Sequence, residues 1–141
     1  MSGVSPLSLW DETSGEPDVT SPMTSDVITD IAIVGGGYTG LSTALHAAGK
    51  GLDCCVLEAR KIGFGGSGRN VGLVNAGLWL PPQDVRARLG EERGSRLVQM
   101  LGDGPEYVMS LIEQHQIRCE LTRTGTIHAA HSPSGFKDLK R

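Results

Sequence analysis

Asp30-Ile31-Ala32-Ile33-Val34-Gly35-Gly36-Gly37-Tyr38-Thr39-Gly40-Leu41 decides how the chain is read. Ile31 to Val34 is apolar at every position and stops abruptly at glycine, the pattern of a buried parallel strand. Beyond the glycines, Leu41, Ala44, Leu45 and Ala48 fall at i, i+3, i+4 and i+7, one stripe of an amphipathic helix. Gly49 and Gly51 mark its end. Cys54-Cys55-Val56-Leu57 then supplies a second apolar strand, closed by Glu58. Ile28 to Glu58 is therefore expected to be a β-α-β unit, and its roughly 30 residues suffice for a parallel crossover.

Gly35-Gly36-Gly37-Tyr38-Thr39-Gly40 matches G-x-G-x-x-G. Any glycine-rich turn can match that string, so its context carries the weight. Here it follows an expected strand, opens an expected helix, and has an acid, Glu58, 18 residues past Gly40. Together these make a dinucleotide-binding fingerprint. Gly35 permits the tight turn, Gly37 lets backbone approach a pyrophosphate, and Gly40 lets helix pack close on strand. The helix N-terminus offers unpaired N–H groups and a positive dipole end to phosphates. Glu58 can accept hydrogen bonds from both hydroxyls of an adenosine ribose and would repel a 2′-phosphate, which argues against NADP.

The fingerprint alone does not choose between NAD and FAD. Ala59-Arg60-Lys61-Ile62-Gly63-Phe64-Gly65-Gly66-Ser67-Gly68-Arg69-Asn70-Val71-Gly72 is a second loop of small residues directly after the ribose strand. A second run of N–H groups, with Ser67 and Asn70, suits the far side of a longer, two-nucleotide cofactor.

The segment AIVGGGYTGLSTALHAAGKGLDCCVLEARKIGFGGSGRN resembles the N-terminus of the FAD-dependent amine and amino-acid oxidoreductases, the D-amino-acid oxidase/glycine oxidase superfamily. Its GGGYTGLS and IGFGGSGRN strings are closest to the gamma-glutamylputrescine oxidoreductase-like branch. The resemblance spans roughly residues 27–131. It implies FAD as cofactor, with Gly35, Gly37, Tyr38, Thr39 and Gly40 lining the pyrophosphate. Glu58, Ala59 and Arg60 would hold the adenosine end, and Gly66, Ser67, Arg69, Asn70 and Gly72 would wrap the flavin side. The chain departs from that branch at Val71, where glycine is usual, and at Gly66, where alanine is common. The implied reaction is oxidation of a C–N bond of a small amine or amino acid to an imine, with hydride passing to flavin. Members of the family are several times longer, so the chain is expected to be an N-terminal fragment that by itself lacks activity. An NAD-linked dehydrogenase fragment and a non-catalytic nucleotide-binding remnant are the alternatives.

Composition agrees with this placement. Twenty of 141 residues are glycine, and 12 of them lie between Gly35 and Gly77, so the excess belongs to local turns and not to a repeat. Aromatic residues are 4%, too few for single-strand stacking platforms. The net charge of −3 arises from an acidic front. Residues 1–30 carry Asp11, Glu12, Glu16, Asp18, Asp26 and Asp30, and all 13 bases follow. That dispersed balance gives no nucleic-acid footprint. No apolar run approaches the roughly 20 residues of a membrane span, and no secretory signal is visible. Residues 1–26 read as a flexible acidic tail with one apolar island, Leu7, Leu9 and Trp10; an unstructured leader without a role is the favoured reading, and docking through Trp10 the other. Cys54, Cys55 and Cys119 form an odd set without metal spacing, pointing to reduced thiols and a cytoplasmic location.

Past Pro81-Pro82, Leu97, Met100, Leu101, Val108, Leu111 and Ile112 keep helical spacing across 91–115. Pro105 predicts either two helices or a kink, with Asp103 as N-cap. Ile117, Cys119 and Leu121 alternate with polar residues, and Thr124-Gly125 predicts a turn into an antiparallel partner over 126–130. A further helix is expected to start at Phe136. His46, His115, His128, His131, Arg118 and Arg123 read as structural or solvated, and neither a catalytic residue nor a metal site is assigned. The expected fold is α/β: a Rossmann-like FAD-binding βαβ unit within residues 27–116, then the truncated start of an antiparallel substrate-domain sheet over 117–141.

Overall fold

The computed structural model describes residues 8–15 and 17–140. The first seven residues of the acidic front, Glu16 and Arg141 lie outside the described residues. The chain forms two compact units, Met1–Gly72 and Leu73–Arg141.

In the first unit, β1 (Ile31–Val34), α2 (Tyr38–Ala48) and β2 (Cys54–Leu57) follow a short helix, α1 (Leu9–Thr13). β1 and β2 are parallel, in register from Ile31 opposite Cys54 to Val34 opposite Leu57. The β-α-β order and parallel pairing are those expected from the hydrophobic runs. The Asp30 carboxylate fastens the entry of β2 by accepting from Asp53 N–H at 2.8 Å, and Gly35 N–H closes the other end on Leu57 O at 2.8 Å.

Burial differs from expectation in two places. β1 is covered on one face only: Ile31 and Ile33 are half-buried, while Ala32 is exposed and Val34 is 87% exposed. Within this two-stranded sheet one helix packs on one side, so the apolar residues of the opposite side have no layer above them. In α2 the inward face is Gly40, Ala44 and Ala47, rotated from the expected Leu41–Ala44–Leu45–Ala48 stripe; Leu41 and Leu45 lie exposed. Small residues on that face bring the helix axis close to the strands, which larger leucines would prevent.

The second unit is helical. α3 (Pro82–Leu89) starts with Pro82 in its first turn and ends at Gly90, whose φ of +81° turns the chain into α4 (Glu91–Gln114). The two helices cross closely at Gly94, where a Cβ would come within 2.5 Å of Arg86 Cα. Val85 and Met109 are buried here, and with Ala47 they are the buried hydrophobic residues among those described.

α4 runs through Pro105 as one 24-residue helix, so Asp103 is an interior residue and not an N-cap. Proline at 105 removes the donor that the Leu101 carbonyl would otherwise receive. Gly77 N–H donates to that carbonyl at 3.2 Å and replaces the missing partner. The expected antiparallel pair over 117–130 does not form; no strand is present there among the described residues. An isolated hairpin is marginal without further strands, and those residues instead make side-chain contacts, Thr126 to Asn75 at 2.8 Å and Arg123 to Glu106. α5 (Pro133–Leu139) begins three residues before the expected Phe136, capped by Ser132 Oγ, which accepts from Gly135 N–H at 3.1 Å.

Candidate cofactor site

The site is built where β1 meets α2. Gly35 has φ +104°, a conformation closed to ordinary L residues, which turns the strand sharply into the helix. Gly40 is required for a different reason: a Cβ there would lie 1.9 Å from Gly35 O, so helix and strand end touch through bare backbone. Gly37 is the N-cap of α2 and offers no capping side chain, leaving the first-turn N–H groups to partners from elsewhere.

The first such partner is Ser67. Its hydroxyl accepts from Tyr38 N–H at 3.0 Å, and a Cβ on Gly37 would come within 2.8 Å of that oxygen. Asn70 adds a second tie. Its amide nitrogen donates to Tyr38 Oη at 3.1 Å and to Ser67 O, while its side-chain oxygen accepts from Gly72 N–H at 2.7 Å. The two glycine-rich loops, far apart in sequence, are thus joined at the start of α2. Gly66 opens the short 3-10 turn Gly66–Arg69, and a Cβ there would meet nothing, so the alanine expected at this position would fit equally well. Val71 is largely exposed, so its side chain meets little resistance where glycine is usual.

Glu58 sits at the end of β2. One carboxylate oxygen accepts from Gly36 N–H at 2.8 Å and the other from Arg60 N–H at 2.9 Å. The Gly36 bond foremost, then that from Arg60, holds the Glu58 carboxyl below the ordinary glutamate value. Ala59 is exposed beside it. The Arg60 guanidinium lies 4.3 Å from the centroid of the Phe64 ring, and that of Arg69 lies 5.0 Å from the same ring. Thr39 lies exposed on α2, its carbonyl accepting from the Thr43 hydroxyl at 2.7 Å.

Several residues absent from the sequence-based set belong to this cluster. Gly36 donates to Glu58 and accepts from Gly63 N–H at 2.9 Å; a Cβ there would sit 2.5 Å from Ile62 Cδ1, the movable tip of that side chain. Gly68 packs on Gly63, where a Cβ would lie 2.1 Å from the Gly63 carbonyl oxygen. Phe64 joins the two arginines. The sequence does hold signals for these: Gly36 is the middle of three consecutive glycines, and Phe64 is the one aromatic residue between Arg60 and Arg69.

Electrostatically the site is mixed. The helix N-terminus with Arg60 and Arg69 favours an anion, whereas the ionised Glu58 favours neutral hydroxyl donors. Among the described residues no group of three or more His, Cys, Asp or Glu side chains is placed to hold a metal ion. No described helix is long and apolar enough to cross a membrane.

A family of FAD-dependent oxidoreductases, DAO, matches residues 30–141. The chain is 39% identical over 118 residues to gamma-glutamylputrescine oxidoreductase of Escherichia coli, covering 84% of this chain and 28% of that protein. It is 34% identical over 140 residues to the probable oxidoreductase OrdL of Rhizobium meliloti, covering 99% of this chain and 32% of that one. To the probable oxidoreductase OrdL of Haemophilus influenzae it is 32% identical over 99 residues, covering 70% of this chain and 23% of that protein. No solved structure matches at a significant level. The chain belongs to the DAO family of FAD-dependent oxidoreductases, a family of enzymes whose cofactor is FAD. It spans roughly three-tenths of the length of the first two of these relatives.

Proposed function

We propose that this chain is the N-terminal part of the FAD-binding domain of an oxidoreductase that oxidises the C–N bond of an amine or amino acid to an imine. The observation that carries the reading is the joining of both glycine-rich loops at the N-terminus of α2, with Glu58 at the end of the neighbouring strand. Three features support FAD as the group held there. Gly35 turns the chain sharply, Gly40 packs α2 on the strand end, and Gly37 leaves the N-cap without a side chain, so that a diphosphate can approach the dipole end of α2 at Tyr38 and Thr39. Glu58, flanked by Ala59 and Arg60, supplies carboxylate acceptors for ribose hydroxyls and disfavours a further phosphate. Gly66, Ser67, Arg69, Asn70 and Gly72 form a second polar loop beside the first, which an extended two-nucleotide cofactor can span.

When bound, FAD supplies the acceptor for the two electrons that leave the substrate carbon as hydride, the amine losing a proton to complete the imine. The residues of this chain act by holding and orienting. Ser67 and Asn70 fix the flavin-side loop against Tyr38, and the Glu58 ties to Gly36 and Arg60 N–H set the loop ends at a fixed distance from the strand. Placement of the substrate carbon beside the acceptor is the main catalytic task in such a reaction. The amine substrate class follows the likeness to gamma-glutamylputrescine oxidoreductase, and that compound is the first substrate to try. Residues 27–116 are proposed as FAD-binding domain and 117–141 as the start of the substrate domain. A cytoplasmic location fits the odd cysteine count.

The test is expression of the complete protein that contains this chain. FAD retained through purification and reduced by gamma-glutamylputrescine without oxygen supports the reading. A colourless protein that binds NAD would replace it with the dehydrogenase alternative.

A further inference from the structure

The element least explained by a nucleotide-binding unit is α1, which precedes β1 and lies ahead of the family match at residue 30. It is nonetheless seated on the flavin-side loop. The Trp10 indole N–H donates to the Asn70 carbonyl at 2.7 Å. Its ring lies on the bare Cα of Gly72, where φ is +74° and a Cβ would come within 2.9 Å of Cζ2. One residue on, Asp11 pairs with Lys61 at the other end of the same loop. The helix is itself fixed by a capping box in which Ser8 and Asp11 bond each other reciprocally. For an exposed five-residue helix these contacts are unusually directed, because a helix this short has no stability of its own.

Asn70 connects this clamp to the cofactor loops. Its main chain is held by Trp10, while its side chain bridges Tyr38, Ser67 and Gly72. Fixing the Asn70 carbonyl restricts its ψ and the direction of its side chain, so the indole limits how far the loop can swing from α2. Asp11–Lys61 limits the same loop at its start.

We propose that Trp10 is a positioning residue for the cofactor: through Asn70 and Gly72 it latches the 61–72 loop against the start of α2 and slows the release of FAD. The inference rests on the FAD-binding reading above. Trp10 touches neither substrate nor cofactor in this role, and no function is asked of it in the chemistry.

The test uses the complete flavin-loaded protein and follows FAD release by the recovery of free-flavin fluorescence. W10F keeps an aromatic ring at this position but removes the N–H donor and the outer indole edge, Cζ2 and Cη2, that reaches Gly72. It is expected to release FAD about fivefold faster, the effect of losing one hydrogen bond. W10A and deletion of residues 1–14 remove the whole ring and are expected to exceed W10F. The apoprotein of W10F should lose no more than the same one hydrogen bond, a fall of a few degrees in melting temperature, and release is followed well below that temperature. Release at the wild-type rate in W10F overturns the inference, as does acceleration in a variant whose apoprotein is already unfolded at the assay temperature. If the unaltered protein retains no FAD, the cofactor reading fails as well. If it retains FAD and W10F has no effect, the latch alone fails.

Discussion

Gly36 N–H donates to the Glu58 carboxylate at 2.8 Å across the ends of the two parallel strands, while the Gly36 carbonyl accepts from Gly63 N–H at 2.9 Å. One glycine thereby ties the first loop to Glu58 at the end of β2 and to the second loop. Both ties use its main chain, and a Cβ at this position would ask only the tip of the Ile62 side chain to shift. Gly36→Pro, which deletes the N–H that Glu58 accepts, is expected to weaken FAD retention about tenfold, as measured by equilibrium dialysis of the complete protein.

Gly40→Ala tests close packing alone. The added Cβ would lie 1.9 Å from the Gly35 carbonyl oxygen, and relief requires α2 to move off β1. A loss on the order of 3 kcal/mol is expected in denaturant unfolding. A variant as stable as the parent would mean that helix and strand do not meet as described. Gly37→Val, which crowds the Ser67 hydroxyl, is expected to abolish FAD retention.

The acid limb of the stability curve should carry the mark of Glu58. Its folded-state pKa lies below the ordinary value of about 4.3, so its ionisation stabilises the fold above that value. The contribution is lost as pH falls through the lowered folded-state value. Asp11 behaves in the same way: the hydrogen bond from Lys61, then those from Ser8, lower its pKa to about 2. The Asp11–Lys61 tie of α1 should therefore persist well below pH 4 and be lost near pH 2, which weakens the docking of Trp10. Trp10 is 39% exposed and Trp79 is 94% exposed, so a red shift of tryptophan emission on acidification reports the release of Trp10. Glu58→Gln should flatten the Glu58 part of the acid limb and leave the emission shift in place.

Pro105→Ala restores an N–H facing the Leu101 carbonyl, which already accepts from Gly77. A carbonyl oxygen can accept two bonds, so the Gly77 contact need not be lost. Relief of an interior proline is expected to raise stability by about 1–3 kcal/mol in thermal unfolding, with FAD retention unaltered. A lower melting temperature would show that the proline ring itself is required where it packs.

What the sequence makes legible is local. The strand–helix–strand order shows because hydrophobic runs and glycine punctuation are short-range signals, and Ile31–Val34, Tyr38–Ala48 and Cys54–Leu57 fall within a few residues of their expected limits. Ser67, Asn70 and Tyr38 each stand out in the sequence, yet their mutual bonds join positions about thirty residues apart and follow only from tertiary placement. The inward face of α2 departs from the hydrophobic stripe because size decides it: Gly40 and Ala47 face the strands where close approach excludes leucine. Pro105 fails to break α4 because a distant residue, Gly77, satisfies the carbonyl that proline leaves unpaired. At 117–130 the alternation suits a strand, but a ladder needs partners that the described residues do not provide.

Asn70→Ala removes the bridge between Tyr38, Ser67 and Gly72 while leaving the Trp10 contact, which uses the Asn70 main chain. About tenfold weaker FAD binding is expected, with α1 still docked by tryptophan emission.

The most direct measurement is the visible spectrum of the complete protein, purified without added cofactor and then exposed anaerobically to gamma-glutamylputrescine and a series of other amines and amino acids. Bound FAD at one per chain, bleached by at least one of these compounds, is the expected result. A protein without FAD, or one whose FAD is reduced by none of them while a substrate lacking a C–N bond reduces it, contradicts the assignment.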